Sequence, residues 1–156
     1  MSKPKFEIRK FKSQRGHEGP GFACELYVDG VRGADVVDQG DGGMIYWHWF
    51  DAEAKKKWDE HVAAQPEEEC GLEFGLPSTM EKPDQDTVMA RLVDEFEARR
   101  AYTRKCKTKT LFRLKSDKPD TYHEVKLAFT PRVADRLRQQ YGDDLLEIIN
   151  ETLARD

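Results

Sequence analysis

The side chains that could do covalent or metal chemistry are few and far apart in this sequence. The three cysteines, Cys24, Cys70 and Cys106, form no CxxC pair, and the four histidines are equally scattered. Zinc sites need ligands at helical or turn spacing, and disulfide frameworks usually need an even set. No serine stands in a GxSxG elbow. We therefore expect no metal, no cofactor and no disulfide.

A glycine-rich turn, RGHEGPG at residues 15–21, is the local cluster with the best catalytic residue types. The backbone amides of such turns can bind phosphate, and Arg15 and His17 suit an anion. A small enzyme would need Arg15, His17 and Glu18 to meet His48 or a carboxylate in one cleft. The turn matches neither the P-loop nor the GxGxxG pattern, so a structural loop is the favoured interpretation and an enzyme the lesser alternative.

The second candidate cluster is a run of positive charge: residues 99–116 carry eight basic side chains and no acidic one. The whole chain has a net charge of −4, and residues 51–98 hold fourteen acids against five bases. Such a block can bind an anion, or it can be solvated or paired internally with the acidic block. We call residues 99–115 the basic segment. Its candidate binding residues are Arg99, Arg100, Arg104, Lys105, Lys107, Lys109, Arg113 and Lys115.

If residues 107–115 form a strand, the basic side chains at alternate positions of the basic segment point to the same side of the sheet. On such a strand Lys107, Lys109, Leu111, Arg113 and Lys115 share one face, and the opposite face packs inward. A lysine-rich edge strand that resists sheet-to-sheet aggregation is the alternative to a binding face.

The stretch MIYWHWF, residues 44–50, adds aromatic residues to the candidates. On a strand, Ile45, Trp47 and Trp49 share one face, which we expect to pack in the core. The opposite face carries Tyr46, His48 and Phe50, with Tyr27 expected beside it, and is the better candidate for an exposed surface. Exposed aromatic side chains on a sheet can stack on single-stranded bases.

The elements that must position these residues begin with an antiparallel meander. Phe22, Cys24, Leu26 and Val28 recur at period two, as in a half-buried strand. Asp29–Gly30 predicts a type I′ hairpin turn. After the meander, Asp51 can cap a helix over Ala52–Ala64, and residues 65–83 are predicted to be a loop or mobile connector.

The second half of the sequence predicts a helix from Asp84 or Asp86, a second β-hairpin and two final helices. Arg99, Arg100, Arg104 and Lys105 fit the C-terminal turns of the first of these helices. KTKTLFRLK should pair with YHEVKLAF. Thr130–Pro131 predicts a helix start, Gly142 its end, and residues 143–153 a last helix. The fold class is α+β, in a single domain over residues 1–156 with about four helices, including a C-terminal helical pair.

Parts of the chain resemble a group of small uncharacterised proteins from phages and plasmids. The similarity lies in the RG-x-EG-x-GF turn, the LY-x-DG hairpin, the D-x-G-x-GG turn and the K-TLFRL strand, which together cover about half of the chain. It implies an accessory protein of a mobile element, a class that includes modulators of host defence and DNA metabolism. No functional residue is carried over from this resemblance.

These observations predict a non-catalytic binding protein that engages a host protein or nucleoprotein complex through charged surfaces. Direct binding of single-stranded or structured nucleic acid by the basic segment, helped by Tyr46, His48 and Phe50, is the alternative. No apolar run is long enough to span a bilayer, and the basic N-terminus lacks the apolar stretch of a secretory signal. We therefore expect no membrane partner and a cytoplasmic location.

Overall fold

The computed structural model describes residues 2–71 and 75–155. The chain divides into two compact units, Met1–Val93 and Asp94–Asp156, and the boundary falls inside one helix, Gln85–Cys106. The expectation of a single domain stays a prediction, and each unit is described by itself below.

The predicted α+β class is confirmed, with nine strands and four α-helices among the described residues. A 3₁₀ turn, Gly142–Asp144, precedes the last strand. No helix in the described ranges is both long enough and apolar enough to cross a membrane. In chain order the elements are β1 Phe6–Arg15, β2 Pro20–Val28, β3 Val31–Asp38, β4 Tyr46–Trp49, α1 Ala52–Ala63, β5 Glu68–Cys70, β6 Thr79–Glu81, α2 Gln85–Cys106, β7 Thr110–Leu114, β8 His123–Val125, α3 Pro131–Tyr141, β9 Leu145–Ile148 and α4 Ile149–Arg155.

The N-terminal unit is built on the predicted meander, an antiparallel sheet in the order β1-β2-β3-β4. Asp29 and Gly30 both have positive φ, 49° and 82°, as a type I′ turn requires. The four period-two residues of β2 are all buried, so one face of the sheet forms the core. Predictions for this part of the fold are therefore confirmed.

Helix α1 covers the buried face of this sheet. The Asp51 carboxylate accepts the Ala54 amide hydrogen at 2.7 Å and caps the helix as predicted. Trp58 is fully buried, and its ring lies 5.3 Å from that of Trp47. Gly33 is the extra residue of a bulge in β3, and an added Cβ there would lie 3.1 Å from the Cβ of Ala54. The absence of a side chain at Gly33 thus lets the helix approach the sheet.

The segment 65–83 contains a short hairpin that the sequence did not predict. Strands β5 and β6 pair antiparallel, and Arg91 forms an ion pair with Glu68 of β5. Three-residue strands are too short to produce a readable alternation, which explains the omission. The predicted mobility of this segment stays a prediction, and the part of it at residues 72–74 lies outside the described residues.

The C-terminal unit has a three-stranded antiparallel sheet in the order β8-β7-β9. The predicted β7–β8 hairpin is confirmed, as is α3, with Thr130 as its N-cap and Gly142 at its end. Phe112, Ala134, Leu137 and Ile148 form the core cluster of this unit.

Two predictions for the C-terminal unit are wrong. Residues 145–148, predicted as helix, form β9, so a strand separates the final two helices. β7 starts at Thr110 and is the central strand, neither an edge strand nor nine residues long. Leu111, assigned to a basic solvent face, is fully buried. The amide side chain of Asn150 accepts the Leu111 N–H at 2.8 Å and donates to the Lys109 carbonyl at 2.9 Å, which ties α4 to β7.

Candidate functional site

The exposed aromatic residues lie on the face of the N-terminal sheet opposite α1. Trp47 and Trp49 stack with ring centroids 5.5 Å apart on the buried side, as predicted for the tryptophan face. Tyr46 and Phe50 point the other way and are 56% and 49% exposed. We call this surface the outer sheet face. Glu7 forms an ion pair with Arg9 on it at 3.0 Å. The outer sheet face comprises Glu7, Arg9, Lys10, Lys12, Glu25, Tyr27, Arg32, Asp35, Tyr46, His48 and Phe50.

A β-bulge in β1 supplies one cation of the outer sheet face. Arg9 pairs with Glu25 and Lys12 with Ala23, so Lys10 and Phe11 together oppose a single residue of β2. Lys10 adopts φ 51°, a conformation that few non-glycine residues take. Strict alternation would send Lys10 into the core, but the bulge lets its Nζ reach Glu25 Oε1 at 3.1 Å.

Glu25 is the electrostatic centre of this surface. Its side chain is only 10% exposed, whereas that of Lys10 is 75% exposed. The hydrogen bond from Lys10 holds the pKa of the Glu25 carboxyl below its usual value, against the opposing effect of burial, with further help from Tyr27 and Arg32. The Tyr27 hydroxyl donates to Glu25 Oε2 at 3.1 Å. Glu25 therefore stays ionised beneath the cations that surround it.

Two arginines lie on aromatic rings of the same face. The Arg9 guanidinium is 4.0 Å from the centroid of the Tyr27 ring, and that of Arg32 is 4.5 Å from the Phe50 ring. Arg32 also binds Asp35 at 2.8 Å. Stacking and ion pairing hold both guanidinium groups in place, which lowers the conformational entropy lost when a partner binds them.

The outer sheet face can thus bind through ordered cations and exposed rings over the recessed carboxylate of Glu25, with Glu7 and Asp35 beside the two arginines. Tyr46, His48, Phe50 and the neighbouring Tyr27 were expected on this face from the sequence, whereas Arg9, Lys10, Glu25 and Arg32 were not identified. The signal for Glu25 was present, since period-two burial of Phe22–Val28 places the intervening residues on the other face. The bulge that turns Lys10 outward leaves no such pattern in the sequence.

The glycine-rich turn at residues 15–21 packs against the turn after β3. The Glu18 N–H donates to the Gly40 carbonyl at 2.9 Å, and the Gly16 N–H donates to the Gly19 carbonyl at 2.9 Å. A Cβ added at Gly16 would lie 2.2 Å from the Gln39 carbonyl oxygen. These amides already have protein acceptors, so the geometry favours a structural loop over a phosphate site.

The groups named for an enzyme are not joined in the described residues. The ring contact of His48 is with Phe50, at 4.7 Å, and no hydrogen bond or ring contact links it to His17 or Glu18 there. Burial raises the pKa of the Cys24 thiol to about 12, so this cysteine is a poor nucleophile. All three cysteines are free thiols. The described ranges contain no group of three His, Cys, Asp or Glu side chains placed to hold a metal ion.

Three cations of the basic segment are paired within the C-terminal unit. Lys105 and Lys109 each donate to a different oxygen of Glu124, both at 2.9 Å, and Lys105 also donates to the Tyr122 hydroxyl. The two lysines lower the pKa of Glu124 to about 2, and the Tyr122 and Glu124 contacts raise the pKa of Lys105. Arg113 lies 3.5 Å from Glu147 and donates to the Tyr102 hydroxyl at 3.0 Å.

The other five candidates of the basic segment are exposed but do not form one row. Arg99, Arg100 and Arg104 belong to the last turns of α2, as the alternative interpretation predicted, and the Arg100 guanidinium is 5.5 Å from the Phe96 ring centroid. Lys107 lies in the turn after α2, and Lys115 follows β7. The predicted common face of Lys107–Lys115 is therefore wrong, because only the middle of that segment is a strand.

Comparisons with known proteins add no functional information, since no family model, curated protein or solved structure matches this chain.

Proposed function

We propose that this chain is a non-catalytic accessory binding protein that engages a host protein through the outer sheet face. The observation that carries the proposal is the stacking of two arginines on aromatic rings, the half-buried Tyr27 and the exposed Phe50, around a recessed carboxylate. Tyrosine, phenylalanine and arginine are the residue types enriched at the centres of protein–protein interfaces. The cytoplasm of a host carrying a phage or other mobile element is the proposed setting, on the resemblance of the glycine turns and hairpin alone.

A protein partner fits this face better than a nucleic acid does. The carboxylates of Glu7, Glu25 and Asp35 offset its cations, and the N-terminal unit carries twelve basic against eighteen acidic residues. Phosphate contacts require uncompensated cations. One face of the Tyr27 ring and one of the Phe50 ring are occupied by guanidinium groups, which leaves less aromatic surface for stacking bases.

Site-specific photocrosslinking in host lysate tests the proposal. A benzophenone amino acid at position 46 or 50 should yield a discrete crosslinked protein, and the same group at the comparably exposed Leu146 should not. The partner identified in this way should bind the purified chain, and Arg32→Glu should weaken that binding about tenfold or more, since it removes a stacked cation and adds a repulsive charge. Equal crosslinking from position 146, or binding indifferent to Arg32→Glu, would contradict the proposal.

Direct nucleic-acid binding is the second candidate, favoured by the exposed Arg104, Lys107 and Lys115 of the basic segment. Fluorescence anisotropy with labelled single- and double-stranded oligonucleotides at two salt concentrations tests it. Binding that falls steeply with salt and is lost after charge reversal at Lys107 and Lys115 would replace a protein partner by a nucleic acid.

A further inference from the structure

An apolar groove on the C-terminal unit is not used by either surface described above. It has a volume of about 360 Å³, within the range of ligand-binding pockets. Its apolar lining is Val125, Leu127, Val133 and Leu137, and the exposed Arg132, Arg136 and Gln140 line it as well.

The floor of this groove is the outer side of the core cluster. Leu137 belongs to that cluster, and Val125 and Val133 pack against it while remaining partly exposed. Leu127 is 55% exposed, and its carbonyl accepts the Thr110 hydroxyl at 2.9 Å, so the backbone of this wall is fixed. An apolar side chain entering the groove would bury these half-covered residues without rearranging the unit.

The two arginines that line the groove differ from the third arginine of the same helix. Arg138 is bound to Glu151 at 2.7 Å and faces Asp135 at 3.9 Å. Arg132 and Arg136 are exposed and form no hydrogen bond or ion pair with a described residue. They are one helical turn apart, so both can reach the same anionic group.

We infer that this groove binds a segment of a partner protein in which an apolar side chain is followed two residues later by a carboxylate. In an extended segment, alternate side chains share one face, so the apolar group can enter the groove while the carboxylate meets Arg132 and Arg136. Charge complementarity selects an acidic segment. This inference concerns a different surface from the outer sheet face and does not depend on the function proposed above.

Titration of the full chain with three peptides, followed by ¹⁵N–¹H NMR, tests the inference. The probe is acetyl-Gly-Ser-Leu-Ser-Glu-Ser-Gly-amide, and its controls replace Leu by Ser or Glu by Gln. The probe should shift the amide signals of Leu127, Val133 and Leu137. Each control should bind about tenfold more weakly, since it lacks either the buried group or the charge-assisted hydrogen bonds.

Variants of the chain separate the groove from general electrostatic attraction. Arg132→Gln with Arg136→Gln, and separately Leu127→Ser, should weaken peptide binding about tenfold. Lys56→Gln with Lys118→Gln makes the same charge change at exposed cations elsewhere and should leave binding unchanged. Thermal melting of each variant establishes that it is folded. Shifts outside the groove, equal loss in both double variants, no binding at millimolar peptide, or saturation by octanoate alone would each overturn the inference.

Discussion

The outer sheet face and the basic segment both gather cations, but they hold them in different ways. On the sheet, Lys10 and Arg32 project from the surface while the carboxylate that they share, Glu25, lies almost buried beneath them. In the basic segment, Lys105 and Lys109 share Glu124, which is about as exposed as the two lysines. Lys10 therefore remains available above its counter-charge, although Arg32 also has the partly exposed Asp35 beside it at 2.8 Å. Lys105 and Lys109, by contrast, are engaged side by side with theirs.

The difference shows that the number of charges along a sequence is a weak guide to a binding surface. The basic segment has the highest local charge in the chain, yet the strands on either side of β7 bring Glu124 and Glu147 to three of its cations. The outer sheet face has no charge block in sequence, and it is assembled from four strands by their register. The position of each carboxylate relative to its cation therefore decides whether a binding partner can reach that cation.

Leu111→Ala should have the largest effect of the changes that test this comparison. Leu111 is fully buried in the central strand, so its truncation should lower the free energy of unfolding by about 2–5 kcal/mol. If β7 instead presented a basic face to solvent, the cost would be under about 0.5 kcal/mol. Urea unfolding followed by circular dichroism measures the difference.

Tyr46→Ala is the matched truncation on the outer sheet face. Because Tyr46 is more than half exposed, its loss should cost no more than about 0.5 kcal/mol. A loss as large as that of Leu111→Ala would mean that the outer sheet face is a packed surface, and it would remove the contrast on which the proposed function depends.

Asp86→Ala should have the next largest effect, through the strand that carries Tyr46 and His48. One carboxylate oxygen of Asp86 accepts the Ile45 N–H at 3.0 Å, and the other accepts the Trp47 indole N–H at 3.1 Å. Leaving two partly buried donors unsatisfied should cost about 1–3 kcal/mol. The Trp47 indole signal in a ¹⁵N–¹H NMR spectrum should shift, and that of Trp58 should shift less. An unchanged Trp47 signal would contradict this role of Asp86.

The local elements of this fold were largely predictable because their signals lie within a few residues. Asp29–Gly30, the Asp51 cap and the Thr130–Pro131 start each act through their own backbone hydrogen bonds or dihedral angles. The strand at residues 145–148 could not be predicted, since Leu145, Ile148 and Ile149 satisfy a helical spacing as well as they fit a short strand. Pairing of this strand with β7, a contact over more than thirty residues, decided the outcome.

The candidate surfaces were predictable only where a single element defines them. Tyr46, His48 and Phe50 lie in one stretch, so alternation alone places them on a common face. Glu25, Lys10 and Arg32 come from three different strands, and their meeting depends on register and on the bulge at Lys10. No pattern within one segment could reveal that Glu25 would be covered by cations from its neighbours.

Glu124→Gln should convert the basic segment into a stronger anion-binding surface. The change removes the carboxylate that engages both Lys105 and Lys109, so two ammonium groups become available to phosphates. Affinity for a single-stranded oligonucleotide should rise several-fold, and the magnitude of the slope of log affinity against log salt should increase by about 0.7 for each lysine that makes a phosphate contact.

Asp143→Asn controls for the change in net charge alone. Asp143 is exposed in the same unit and contacts no cation of the basic segment among the described residues. Anisotropy titrations at several salt concentrations should give this variant the wild-type slope. An equal increase in both variants would mean that net charge, rather than release of the two lysines, controls binding.

The smallest effect should appear only in acid, at the Glu124 carboxyl. Its pKa in the folded protein is about 2, below the ordinary value of about 4.3 for a glutamate. Because the folded state has the lower pKa, ionised Glu124 contributes its full stabilisation above the ordinary pKa, and this contribution is lost as pH falls toward 2. A ¹³C NMR titration of the side-chain carboxyl should find the low value in the wild type and a higher one in Lys109→Gln, while Lys118→Gln leaves it unchanged. A wild-type midpoint at the ordinary value would show that the two lysines are not held on Glu124, and the basic segment would then resemble the outer sheet face in presenting accessible cations.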